Sequence, residues 1–289
     1  MQRVEKCPAC GNAELKPFGM TSSAKKYLHF SQARCARCAL LISQPQASNA
    51  EMAEYYGSIY YQDIWNEPEM VWQLNSRAYE QYEWPIMQNL WAEFAPPPGG
   101  RIAEVGCGYG VMLGFLRRRG FQTQGCELSQ KAVDFCRAKG LDVVLGQSPG
   151  IQLERGRFDA AMSLQVIEHV ANPLLLVSEM MELVRPGGAI VIVTEDAFNA
   201  QHYWNRARAI MTGNIPPFRS STDHTFVFNS DNLTRLMSTA GCRHVIARSF
   251  TYQPAKERPH WRAYKGAMRL IDRITRHGEF LMAVGMKNK

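Results

Sequence analysis

The run Glu104-Val105-Gly106-Cys107-Gly108-Tyr109-Gly110 decides the fold. It follows the apolar stretch 101–105 and opens a helical pattern over 110–119. Three glycines at alternate positions therefore make a tight strand-to-helix turn whose backbone can approach a ligand closely. Outward from this turn, short apolar runs at 101–105, 123–126, 143–145, 158–163 and 188–194 alternate with helical stretches at 110–119, 129–139 and 172–184. Such alternation predicts a Rossmann-like α/β unit with a doubly wound parallel sheet. A helix over 231–240 and late strands near 243–251 and 279–287, flanking a basic helical stretch at 261–277, complete it. The unit begins after Pro96-Pro97-Pro98-Gly99-Gly100 and is assigned residues 97–289.

The turn does not fit a dinucleotide. In G-x-G-x-x-G the third glycine would fall on Val111 after Gly106 and Gly108, or on Leu113 after Gly108 and Gly110. A ligand with a free amino group and no phosphate suits it better: Gly106, Gly108 and Gly110 admit an aminoacyl chain and Glu104 organises an ammonium. S-adenosylmethionine has those properties. Glu127, at the end of the second strand, is placed to accept hydrogen bonds from two ribose hydroxyls. Gln147 follows the third strand, where an amide meets an adenine edge. Gln165, in Leu164-Gln165-Val166-Ile167-Glu168-His169-Val170, lies at the carboxyl edge of the sheet beside the methionine part of the ligand.

Residues 1–48 carry Cys7-Pro8-Ala9-Cys10-Gly11 and Cys35-Ala36-Arg37-Cys38-Ala39, two C-x2-C pairs. Each pair aims two sulfurs at one point, and four thiolates suit tetrahedral Zn²⁺, so Cys7, Cys10, Cys35 and Cys38 are read as a small zinc ribbon. Residues 49–96 are rich in Glu, Tyr, Trp, Gln and Met and read as a helical linker or lid. In it Tyr55, Tyr56, Tyr60, Tyr61, Trp65 and Trp72 form either an aromatic lid or ordinary helix packing.

Over residues 97–289 the sequence resembles the class I S-adenosylmethionine-dependent methyltransferases. The motifs that carry the resemblance are Glu104 to Gly110, Glu127, Ile167-Glu168-His169-Val170 and Leu183-Val184-Arg185-Pro186-Gly187-Gly188. The whole chain is similar to a bacterial subgroup with an N-terminal zinc ribbon, which continues past the second cysteine pair with a proline, here Pro45, and Tyr55-Tyr56. That resemblance implies an acceptor that is a small molecule, sugar or glycan. The longer sugar C-methyltransferases carry a further C-terminal domain that these residues do not supply, which argues against C-methylation.

Methyl transfer from a sulfonium is an in-line displacement, so a base matters only for a protonated acceptor. His169 and His224 are the two base candidates for a hydroxyl. Glu195 and Asp196 read as a solvated strand end. The segment 196–230, with His202, Tyr203, Trp204, Arg206 and Arg219, is expected to roof the acceptor. An RNA base methyltransferase, with ribbon and basic tail gripping nucleic acid, stands second. Against it, Leu164-Gln165-Val166-Ile167 replaces the Asn/Asp-Pro-Pro-Tyr/Phe motif of amine methylation. A non-catalytic interaction module on the same fold stands third.

Composition sets the outer bounds. With 289 residues, 46% hydrophobic and 20% charged, the chain has material for a core and is neither disordered nor fibrous. The net charge of +7 is concentrated near the two ends, around an acidic 51–95 stretch. No apolar run approaches the roughly 18 residues of a membrane span. Met1 to Lys6 lacks the apolar region of a secretory signal, which predicts a cytoplasmic location. No feature of the sequence fixes the oligomeric state.

Overall fold

A computed structural model describes residues 3–22, 29–56, 66–80, 96–197, 224–251 and 277–289, with isolated positions at 84, 87, 88, 92, 94, 211, 270 and 274. The chain opens with three antiparallel strands, β1 (Leu15–Ser22), β2 (His29–Cys35) and β3 (Leu41–Gln44). Two helices follow, α1 (Asn49–Glu54) and α2 (Pro68–Ala78). Ser48 caps α1 through a reciprocal capping box with Glu51, and Pro68 starts α2 where its missing N–H costs nothing.

The second unit alternates as the sequence predicts: β4 (Arg101–Val105), α3 (Val111–Arg118), β5 (Gln122–Glu127), α4 (Gln130–Ala138), β6 (Val143–Leu145), β7 (Phe158–Leu164), α5 (Pro173–Leu183) and β8 (Val184–Glu195). These five strands are parallel in the order β6-β5-β4-β7-β8. After the two-residue strand β9 (Phe226–Val227) and α6 (Ser230–Thr239), β10 (Arg243–Phe250) and β11 (Phe280–Met286) finish the sheet. β11 inserts antiparallel beside β8, with β10 outside it, giving seven strands.

Both faces of this sheet are covered, which explains its unbroken apolar runs. Along β8, Ile190 and Ile192 join a core with Leu176, Val177 and Leu233, while Val191 and Val193 join another with Phe115, Leu116 and Met282. The period of two sorts the side chains between the layers. Here β8 departs from the expected strand over 188–194, because it takes up directly after α5 at Val184. Arg185-Pro186-Gly187-Gly188, which reads as a turn, is absorbed into the strand at an irregularity opposite Phe158 to Ala160. Arg185 is pinned there by Asp159, with Nε to Oδ1 at 2.6 Å.

A further pairing joins the two units. β9 lies antiparallel to β3, with Leu41 opposite Val227 and Ile42 opposite Phe226. The N-terminal sheet therefore takes its fourth strand from the far end of the chain. Cys7, Cys35, Leu40 and Ile42 share one apolar core with Ile167, Leu176, Phe226 and Leu233.

Candidate active site

A cavity of about 330 Å³ opens at the carboxyl ends of β4, β5, β6 and β7. It is lined by Glu104, Gly106, Gly108, Glu127, Gln147, Gln165 and His169, so seven of the residues singled out in the sequence meet in one place. Gly110 stands behind the lining. It holds the left-handed turn that caps α3, and a Cβ there would lie 2.6 Å from Leu141 Cδ1 and 2.9 Å from Cys136 Sγ. Gly106 is constrained by contact: with φ of +74°, a Cβ would sit 2.4 Å from Val166 Cγ2.

Two buried carboxylates define one end of the cavity. Glu104, on the all but fully buried β4, has no hydrogen-bond partner at Oε2 among the described residues. Burial, reinforced by the neighbouring Cys136 and Glu127, pushes its carboxyl well above the usual range. A ligand ammonium would satisfy both the orphan oxygen and the missing positive charge. Glu127 is committed in a way the sequence does not reveal. Its Oε2 accepts from the Gly108 N–H at 2.8 Å and its Oε1 from the Ser129 N–H at 2.9 Å. The carboxylate thus ties the glycine turn to the start of α4 while lone pairs remain for hydroxyl donors.

At the other end stand His169 and Tyr56, whose hydroxyl lies 2.7 Å from His169 Nδ1. His224 is not part of the lining. It packs behind His169, ring centroids 4.6 Å apart, with its Nδ1 3.2 Å from Glu195 Oε2. Glu168 completes the group. It is 1% exposed, and burial pushes its carboxyl up to about 7, with His224 opposing the rise. The two histidines meet because the Glu168 carbonyl accepts from the Thr225 N–H at 2.7 Å and its hydroxyl at 2.8 Å. On the other side of His224, the Ser43 hydroxyl donates to the His224 carbonyl at 3.0 Å, and the Ser43 N–H to the Thr225 carbonyl at 2.8 Å.

Other expectations change. Asp196 is fully buried rather than solvated, accepting from the Ser249 hydroxyl with His277 Nδ1 at 3.2 Å. The cause is β11, which pairs beside the end of β8, and β10 beyond it, whose Ser249 reaches Asp196, neighbours that the local sequence does not show. Trp72 does not line the cavity and packs on Gly114 and Phe135. Sequence reasoning missed Val71, Asn75 and Tyr79, three lining residues spaced along α2 and just past it. Their helical spacing was the available signal. Of the proposed roof over 196–230, 198–210 and 212–223 fall outside the described residues, as do Tyr60, Tyr61 and Trp65 on 57–65 and most of the basic stretch 261–277, while 224–230 holds β9 and does not line the cavity.

The four N-terminal cysteines form a compact cluster with all sulfurs within 4.8 Å of one another. Cys7 and Cys38 stand 3.5 Å apart, as do Cys10 and Cys35. Tetrahedral zinc, with Zn–S near 2.3 Å, needs sulfurs about 3.8 Å apart, so the donor set fits such an ion. The Cys7 thiol beside Cys38 lowers Cys38 to about 5. No described helix is long and apolar enough to cross a membrane.

A family model described as "Methyltransferase domain" matches residues 76–246. The ubiquinone biosynthesis O-methyltransferase of Azoarcus sp. is 26% identical over 163 residues, 54% of this chain and 70% of that protein. The tRNA (carboxymethyluridine(34)-5-O)-methyltransferase ALKBH8 of Mus musculus is 29% identical over 135 residues, 44% of this chain but only 20% of that protein. In fold, the chain is similar to the Haemonchus contortus phosphoethanolamine N-methyltransferase 2 solved with S-adenosyl-L-methionine. The TM-score is 0.52 at 13% identity, covering 95% of this chain and 69% of that one.

Proposed function

The chain belongs to the methyltransferase-domain family, and from that premise we propose that it carries the methyl group of S-adenosylmethionine to an oxygen of a small acceptor, a hydroxyl on a sugar, glycan or natural product. That it is an S-adenosylmethionine-dependent methyltransferase follows from the family and its relatives. The acceptor is the proposal. One observation carries it: a single cavity has the carboxylates Glu104 and Glu127 at one end and His169 at the other. Both relatives are named as O-methyltransferases, which supports oxygen as the acceptor atom.

In this reading Glu104 holds the donor's ammonium, Glu127 the ribose hydroxyls and Gln147 the adenine edge, with Gly106, Gly108 and Gln165 along the methionine part. Gly110 keeps the turn in place. The sulfonium supplies the methyl group, and its carbon–sulfur bond breaks as the carbon–oxygen bond forms. His169 takes the hydroxyl proton, backed by His224 and by Glu168 and Glu195 beside it. Cys7, Cys10, Cys35 and Cys38 hold one structural Zn²⁺, which matches the fit of the four sulfurs.

The test is S-adenosylhomocysteine release from protein supplied with the donor and, in parallel, hydroxylated glycans and small molecules or transfer RNA transcripts. Turnover with a small hydroxyl compound, insensitive to salt, is expected. Efficient RNA methylation with a steep salt dependence, while the small acceptors stay inert, would overturn the acceptor class.

A further inference from the structure

Behind the end of the cavity opposite Glu104 lies a buried carboxyl that is not part of the lining and whose charged form His224 favours. Glu168 is 1% exposed, and among the described residues neither of its carboxylate oxygens has a hydrogen-bond partner of good geometry. A buried carboxylate left in that condition is costly, and chains keep one where something positive completes it. Beside it stand two imidazoles. One nitrogen from each of His169 and His224 and one Glu168 oxygen lie within 4.8 Å of one another. A common centre lies within about 2.8 Å of each atom, so side-chain adjustments of up to about 0.7 Å would bring all three to about 2.0–2.2 Å, the usual ligand distance for nitrogen and oxygen.

The His169 ring is held as metal-binding imidazoles are held, by a hydrogen bond at its Nδ1, and the His224 ring has a carboxylate at ion-pair distance from Nδ1. His169 Nδ1 lies 2.7 Å from the Tyr56 hydroxyl and His224 Nδ1 lies 3.2 Å from the Glu195 carboxylate. Oxygen partners of this kind fix ring orientation and tautomer around a bound ion. We infer that Glu168, His169 and His224 form a second divalent cation site, separate from the four cysteines, with Glu195 and Tyr56 orienting the two histidines. Two imidazoles and one carboxylate suit a first-row transition dication, whereas magnesium and calcium prefer all-oxygen surroundings.

The inference rests on the reading of this end as the acceptor side and deepens it. A hydroxyl placed on such an ion ionises far more readily than it does free, as zinc-bound water does. The cation would then take over the work proposed for His169 as base, and the histidines would serve as ligands. The acceptor this favours is one whose reacting oxygen can reach a metal.

The decisive measurement is a calorimetric and optical titration of the whole 289-residue chain, zinc-loaded, with Co²⁺. One saturable equivalent is expected, without the intense bands of sulfur-bound cobalt. Affinity should fall at least 100-fold in His224→Ala and Glu168→Gln, and about 10–100-fold in Glu195→Gln, as for other residues that orient a metal ligand. His169→Ala, at a partly exposed position, supplies a ligand deletion that spares the core. The idea is overturned by no saturable binding, by binding unchanged in these variants, or by cobalt that shows only sulfur coordination. Donor titration of the same sample separates the two readings. Donor binding without cobalt binding removes the cation site alone, while cobalt binding without donor binding removes the methyltransferase reading and leaves the site.

Discussion

The two ends of the cavity are built by opposite strategies. The proposed donor end draws on residues 104–147 with Gln165 a little beyond, and its central contact, Glu127 accepting from the Gly108 N–H, spans 19 positions. The acceptor end is assembled from distant segments: Tyr56 meets His169 across 113 positions, and Ser43 reaches the His224 carbonyl across 181. A local site inherits its geometry from consecutive strand-turn-helix units. A long-range site exists only while the rest of the molecule is closed around it. The cysteine-bearing N-terminal sheet thus supports the acceptor end through β3 and β9, while the donor end rests on the central sheet.

The largest expected effect tests that asymmetry. Cys35→Ser breaks the four-sulfur cluster and loosens the core that Cys35 shares with Ile167 and Phe226. Stability should fall by about 4 kcal/mol or more, the range reserved for loss of a metal or buried network, in a single cooperative transition by calorimetry. A separate small transition, with the main one unmoved, would show that the N-terminal sheet folds alone.

Next, His169→Ala should lower kcat by about 10²–10⁴-fold, the worth of a positioned acceptor-activating group, while donor affinity stays within twofold. Equal losses in donor binding and turnover would erase the distinction between the two ends. Glu127→Ala should do the converse, weakening the donor by about 1.5–3 kcal/mol through lost hydrogen bonds to a charged group. An unchanged dissociation constant by calorimetry would remove Glu127 from the donor site.

Glu104 sharpens the donor end through pH. Its folded pKa is raised, so the donor-free folded state binds more protons than the unfolded one across the window between the ordinary carboxylate range and the raised value. Stability contributed by this group is therefore lost as pH rises through that window. Glu104→Gln should flatten the slope and stabilise the donor-free protein by about 1–2 kcal/mol above the window, while weakening the donor. A slope identical to wild type would show that Glu104 ionises normally. The smallest effect falls on the link between sheets: Ser43→Ala removes one buried hydrogen bond worth about 1 kcal/mol. Turnover should drop severalfold with the donor constant unmoved, and Ser43→Thr should restore it; a change in donor affinity instead would contradict the proposed route from β3 to His224.

The sequence by itself determined the order of strands and helices through the parallel sheet, the glycine turn with Glu104 and Glu127, and the grouping of the four cysteines. These are short-range facts, fixed by the period of apolar residues, by positive backbone angles that glycine tolerates, and by the spacing of paired thiols. Tertiary structure alone decided that β9 completes the N-terminal sheet, that Asp196 is buried, and that Glu168, His169 and His224 converge. A two-residue strand carries no periodicity to read, and Leu41–Val227 pairing depends on the intervening units first packing together. The same holds for Glu168. In a sequence it is one more carboxylate beside a histidine, and only the closed fold removes its water and sets two imidazoles beside it.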